Sequence, residues 1–171
     1  MEEDVIAILA KHGIMSVATV RPDGWPQATI VSYVNEGIIL YFLVSRTSQK
    51  FMNIQADPRV SITIGEDASL PEEIRGLSMA ANASESRDEP YRADMLAKLS
   101  ARHPGYFDPA LLDLEHSALM RAVPSIISVV DYSQGLGHSQ SMTVGTGQLI
   151  EGTPRKPDNW ALKPALPPEA A

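Results

Sequence analysis

The stretch MSVATVRPDGWPQATIVSYVNEGIILYFLV, residues 15–44, decides the fold. Met15 to Val20 reads as a strand rich in β-branched residues, and Arg21-Pro22-Asp23-Gly24 as the turn that ends it. Proline presets φ in such a turn, while Asp and Gly tolerate the left-handed region. Gln27 to Val34 is a second strand, Asn35-Glu36-Gly37 a second turn, and Ile38 to Val44 a third strand. Tight connections between short strands make an antiparallel meander. Ile38 to Val44 is apolar at every position except Tyr41, so it is expected to be covered on both faces.

Upstream, residues 2–12 carry Val5, Ile6, Ile8 and Leu9 behind an acidic start and before Gly13, the pattern of a short amphipathic helix. Downstream, Ser45-Arg46-Thr47 is a polar break. A helix is expected from Ser48 through Gln55, closed by Asp57-Pro58. Arg59 to Ile64 alternates as a strand, and Glu73 to Asn82 is a weaker strand containing Gly76. A helix with Ser86 at its cap presents Met95, Leu96 and Leu99. Asp108-Pro109 starts a shorter one through Leu114. Ser125 to Tyr132 is a strand, Gln134 to Gly137 a turn, and Met142 to Val144 a last short strand. Helices inserted among strands, not alternating with them, argue for a mainly β protein. The strands of residues 1–150 are expected to form an antiparallel barrel or sandwich and not a doubly wound parallel sheet. Residues 151–171 read as a proline-rich tail, since 153–171 hold five of the thirteen prolines and no periodicity.

The chain has 171 residues, 44% hydrophobic and 20% charged, with a formal charge of −7. An acidic body repels phosphate backbones, so nucleic acid is not an expected partner. The absence of cysteine excludes disulfides, zinc–thiolate sites, iron–sulfur clusters and a thiol nucleophile. The four histidines are scattered, which leaves no expected metal site. The acidic start Met1-Glu2-Glu3-Asp4 is unlike a secretory signal and no apolar run is long enough to span a bilayer, so a cytoplasmic protein without membrane contact is expected. No Gly-x-Gly-x-x-Gly fingerprint, Walker loop or Gly-x-Ser-x-Gly elbow is present.

One segment has spacing that suggests chemistry. The third strand ends, Arg46 follows, and a helix opens at Ser48 with Lys50 in its first turn. A helix start offers unpaired N–H groups and partial positive charge, so with a hydroxyl and two cations beside it this corner suits a phosphomonoester. On spacing alone, a plain helix cap with both cations in solvent is the simpler reading.

The order of the pieces adds to this. Gly13 to Val20, Asp23 to Thr29, Tyr41 to Val44, Ser48-Gln49-Lys50 with Ile54, Asp57 to Ser61, and Ile74-Arg75-Gly76 together resemble the pyridoxamine 5′-phosphate oxidase-like, FMN-binding split-barrel family. The likeness covers roughly residues 5–85 and extends more loosely to Tyr132. It implies a six-stranded antiparallel split β-barrel with peripheral helices, forming a homodimer with FMN at the subunit interface. By position, Ser48 and Lys50 would hold the phosphate, with Arg46 as a helper. Gln27, Ala28, Thr29 and Ile30 would run along the isoalloxazine edge, and Val44 and Ser45 would lie near the ring and ribityl chain. Tyr132 would stack near the flavin from the partner subunit, and His138 would face a substrate. Plain alternatives stand beside these: an ordinary barrel strand for 27–30, a turn tyrosine and an exposed histidine.

The oxidase proper carries an arginine at the start of its second-strand motif, where this chain has Gln27 or Ala28. It also carries an Arg, His and Arg motif near its end, whereas no arginine lies between Arg121 and Arg155 here. The resemblance therefore implies a flavin-dependent oxidoreductase whose small-molecule substrate is not pyridoxamine phosphate. The alternatives are a non-catalytic flavin-binding or stress-related module, and a relative binding F420 or haem.

Overall fold

The computed structural model describes residues 2–105, 108–145 and 148–152. Most of the proposed tail, 153–171, lies outside them. Helix α1 (Glu2–Lys11) is followed by strands β1 (Ile14–Val20), β2 (Pro26–Ser32), β3 (Val34–Glu36) and β4 (Ile39–Ser45). Helix α2 (Gln49–Ala56), strands β5 (Arg59–Gly65) and β6 (Arg75–Glu85), and helix α3 (Glu89–Arg102) come next. Strands β7 (Ser117–Asp131), β8 (Ser139–Gly145) and β9 (Gln148–Glu151) complete the order. All ladders are antiparallel, in the order β2-β1-β5-β6-β7-β4-β3, with β8 on β7 and β9 on β8. The result is the expected mainly β split barrel, a curled antiparallel sheet with three helices, although the sheet has nine strands among the described residues where six were expected.

Strand β7 organises the sheet. One edge pairs with β6 along its length. The other is shared, by β4 from Ser117 to Ala122 and by β8 from Ile126 to Val130. Sequence reasoning placed only its second half, because Pro124 cannot donate to a ladder. The structure resolves this with a bulge: Ala81 faces Pro124 and Ala80 faces Ile126, leaving Ser125 as the extra residue, its hydroxyl donating to the Ala80 carbonyl at 3.2 Å.

Three further boundaries differ from expectation. The strand expected over 27–34 breaks at Tyr33, whose N–H donates to the Gly13 carbonyl (3.1 Å) and whose hydroxyl donates to the Leu9 carbonyl (2.9 Å). Tyr33 thus leaves the β1 ladder to dock on α1. Val34 to Glu36 become a strand paired with β4, so the turn falls at Gly37, with φ +57°. Ser86 is no helix cap. Its N–H still donates to the Leu119 carbonyl in the sheet, and α3 begins later, after Asp88. The helix expected through Leu114 shrinks to a 3-10 turn at Pro109–Leu111, because the Asp113 carboxylate accepts from the Glu115 N–H and turns the chain.

Two cores result. The larger fills the barrel and receives Val5, Ile8 and Leu9 of α1 and Ile54 of α2. The smaller joins Val34, Tyr41 and Leu119 to Met95, Leu96 and Leu99 of α3. Each of those last three stabilises the helix by about 1.5–3 kcal/mol through burial. Strand β4 is covered on both faces, as its composition foretold: Leu40, Phe42 and Val44 face the barrel and Tyr41 faces α3. No helix among the described residues is long and apolar enough to cross a membrane.

Candidate functional site

Ser48 caps α2 in extended geometry, φ −72° and ψ 144°, and its hydroxyl accepts from the Phe51 N–H at 3.3 Å. The same hydroxyl donates to the Ser45 carbonyl (2.7 Å), while the Ser45 and Thr47 hydroxyls meet at 2.9 Å. This hydroxyl ring folds the β4–α2 connection tightly against the helix start. The N–H groups of Gln49 and Lys50 precede the first carbonyl they could reach within the helix, so they face outward as donors.

A cavity of about 270 Å³ opens at this point. Its walls are the end of β2 (Ile30, Val31, Ser32), the end of β4 (Leu43, Val44, Ser45), the start of α2 (Ser48, Lys50) and Leu99 of α3. The structure therefore brings together Ile30, Val44, Ser45, Ser48 and Lys50 from separate segments. Lys50 is half-buried, and desolvation pushes its ammonium pKa below the ordinary value. It makes no ion pair or hydrogen bond with any described residue, so its charge is desolvated without an anion beside it. Such a charge costs free energy unless a ligand supplies the counterion.

The other expected residues are placed differently. Arg46 does not line the cavity. Its guanidinium grips both oxygens of Glu85 (3.3 and 2.5 Å), donates to the Leu114 carbonyl (3.3 Å) and lies 5.5 Å from the centre of the Phe51 ring. The Glu85 side chain is only 7% exposed, and the Arg46 hydrogen bond holds its carboxyl below the usual range. Ala28 and Ile30 point outward from β2, Ile30 being 72% exposed, whereas Gln27 and Thr29 are half-buried. The Thr29 hydroxyl is buried with no hydrogen-bond partner among the described residues. Tyr132 sits in a 3-10 turn after β7, its N–H donating to the Ile74 carbonyl. Ser45 pairs with Ser117 at the opposite end of β7, roughly 45 Å away along the strand, so Tyr132 does not meet the cavity within the chain. His138 lines a separate hollow of about 90 Å³ with Asp4, Arg75 and Asp131.

Sequence reasoning missed a buried polar network behind the cavity. Asn53, fully buried, donates to the Thr19 hydroxyl (2.9 Å) and to Gln27 Oε1 (3.0 Å), and accepts from Gln49 Nε2 (2.8 Å). The available signal was a polar residue between Met52 and Ile54 on the helix face that also carries Gln49.

The curled antiparallel sheet, with a helix start and a cation at the mouth of a strand-lined cavity, defines a split-barrel class of protein. The sequence model described as pyridoxamine 5′-phosphate oxidase matches residues 1–129, and the chain belongs to this family, in which FMN-binding members occur. General stress protein 26 of Bacillus subtilis (strain 168) is 27% identical over 119 residues, 67% of this chain and 81% of that protein. A pyridoxamine 5′-phosphate oxidase-related, FMN binding protein of Nostoc punctiforme PCC 73102 superposes with a TM-score of 0.63 at 17% identity, covering 88% of this chain and 94% of that one. HutZ, the heme storage protein from Vibrio cholerae, gives 0.62 at 23% identity, covering 72% and 89%. An F420 reductase shares the fold as well. Likeness at these identities to the Nostoc and Vibrio proteins is likeness of fold.

Proposed function

We propose that this chain binds FMN as a homodimer and acts as a flavin-dependent oxidoreductase on a small molecule other than pyridoxamine phosphate. The observation that carries the reading is Lys50, a desolvated ammonium with no anion beside it among the described residues, next to the open N–H groups of α2 at the cavity mouth. A phosphomonoester dianion satisfies both at once. Ser48 and Lys50 hold the phosphate, Val44 and Ser45 flank the ribityl chain and ring, and β2 from Gln27 to Ile30 gives its edge to the ring's polar atoms. The orphaned Thr29 hydroxyl fits a strand that has a further partner to receive. Arg46 acts at one remove, holding the 45–48 connection through Glu85. A bound flavin would supply the hydride or electron transfer, and the chain's part is to bind it, orient it and exclude water.

The dimer is supported by a patch of uncharged residues on the outer sheet face. Ile14, Ser16, Ala18, Ala28, Ile30 and Thr63 lie side by side across β2, β1 and β5, with Ile14 and Ile30 more than half exposed. Ile30 belongs to both this face and the cavity, so a second copy laid here would close the cavity and could bring its own Tyr132 to the ring. Haem is less well served, because none of the four histidines lines the cavity. F420, with its longer anionic tail, would meet an acidic chain whose Arg46 is already paired.

The test is to purify the full chain, reconstitute it with FMN, haem and F420 in turn, and identify the pigment retained by mass after denaturation, with the dimer checked by light scattering. Retained FMN on a dimer is expected, and retention of haem or F420 in its place overturns the reading. Steady NAD(P)H oxidation with a panel of acceptors is expected of the FMN-loaded protein. None at all would leave a flavin-binding module without turnover.

A further inference from the structure

The phosphate corner and the flavin-edge strand belong to different elements, and a ligand that spans them gains from both only if their spacing is held. Helix α2 has eight residues and one buried apolar anchor, Ile54, a slender hold for an element that must stay in register with β2. A second hold is polar. Asn53 reaches from the middle of α2 to both strands of the β1–β2 hairpin, with Thr19 Oγ1 at 2.9 Å and Gln27 Oε1 at 3.0 Å. On the helix side its carbonyl receives Gln49 Nε2 at 2.8 Å, and Gln49 is the first residue of α2, next to Lys50. The Thr19 hydroxyl in turn lies 3.5 Å from the Gln27 carbonyl, so Gln27 is held at side chain and backbone together. An unbroken hydrogen-bonded path thus runs from the helix start to the first residues of β2. Every member apart from Gln49 and Gln27 is buried, so water cannot replace the lost partners cheaply.

We propose that Asn53 is a positioning residue that sets the distance between the phosphate-binding helix start and the flavin-edge strand, making the two ends act as one site. This rests on the flavin reading. Asn53 touches neither end of the ligand itself; it works through Gln27 and Gln49. Replacing it with an apolar side chain of similar size leaves both ends intact and removes the tie between them. The signature is therefore a loss confined to ligands that span the site. FMN spans both ends; riboflavin uses only the strand end.

The test compares wild type with Asn53→Leu, and with Thr19→Val in case the first variant does not fold. Dissociation constants for FMN and riboflavin are measured on the ligand-free full chain, with amide exchange followed in the same samples. Asn53→Leu is expected to weaken FMN about tenfold and riboflavin less than about twofold, as expected when a two-ended ligand loses its fixed spacing. Amides of residues 49–53 and 27–30 are expected to exchange faster together, while the β6–β7 ladder is unchanged. Equal weakening of FMN and riboflavin, or no weakening of either, overturns the positioning role. So does faster exchange confined to α2. If the wild type binds neither flavin, the flavin reading fails, and the exchange result alone decides whether Asn53 couples the two elements.

Discussion

Lys50→Met separates affinity from stability more sharply than any other change at this site. Methionine keeps a long apolar stem against the cavity wall and removes only the charged end. A hydrogen bond to a charged group contributes about 1.5–3 kcal/mol, so the loss is expected to raise the FMN dissociation constant about 10- to 150-fold. Riboflavin, without the phosphate, should bind as before. Stability of the ligand-free protein is expected to move the other way. Desolvation depresses the Lys50 ammonium below its ordinary 10.5, so the unfolded chain holds more protons than the folded one between the two values. The charge therefore destabilises the ligand-free fold at neutral pH, and that cost fades as the pH rises towards 10.5. Lys50→Met should melt at the same temperature as wild type or higher at pH 7, with the difference narrowing in alkali. The assay is a titration of apo-protein by flavin fluorescence, paired with thermal melts across pH. An FMN constant within twofold of wild type, or an equal loss for riboflavin, would refute the placement of the phosphate.

Three other outcomes follow from the same geometry. Ser48→Ala removes the α2 cap and should cost about 1 kcal/mol in chemical denaturation as well as weakening FMN, because its hydroxyl also shapes the 45–48 connection. Arg46→Met should show the reverse balance from Lys50→Met. It releases the buried Glu85 carboxylate to Arg87 alone and lowers the melting temperature, while FMN affinity falls less than for Lys50→Met. Gly76→Ala would drive a Cβ into the Ile64 carbonyl oxygen across the β5–β6 ladder and should destabilise by about 1–3 kcal/mol, with no selective effect on FMN over riboflavin.

The strands and turns over residues 15–44 could be read in advance because their signals are local, but the meander they were expected to make does not form: β4 pairs with β3 and β7, and β2 only with β1. β-Branched runs, a Pro-Asp-Gly turn and a third strand apolar but for Tyr41 each specify their own few residues, and β4 is indeed covered on both faces. The Ser48 cap with Lys50 in the first turn of the helix is local in the same sense, and the folded chain keeps it. Ser117 to Pro124 escaped notice because a proline is admissible in a strand only where a bulge excuses its missing N–H. That bulge exists only because β6 lies alongside. Arg46 and Lys50 look equivalent in sequence, two cations flanking one helix cap. Only tertiary contact tells them apart: Glu85, 39 residues from Arg46, neutralises the first, and nothing among the described residues neutralises the second. Asn53 likewise reads as an ordinary polar helix residue until Thr19 and Gln27 arrive from the hairpin. Backbone propensity, turn chemistry and capping act over a few residues and are written in the chain. Which charge remains unpaired, and which polar group ties two elements together, depends on partners brought from tens of residues away, and folding alone brings them.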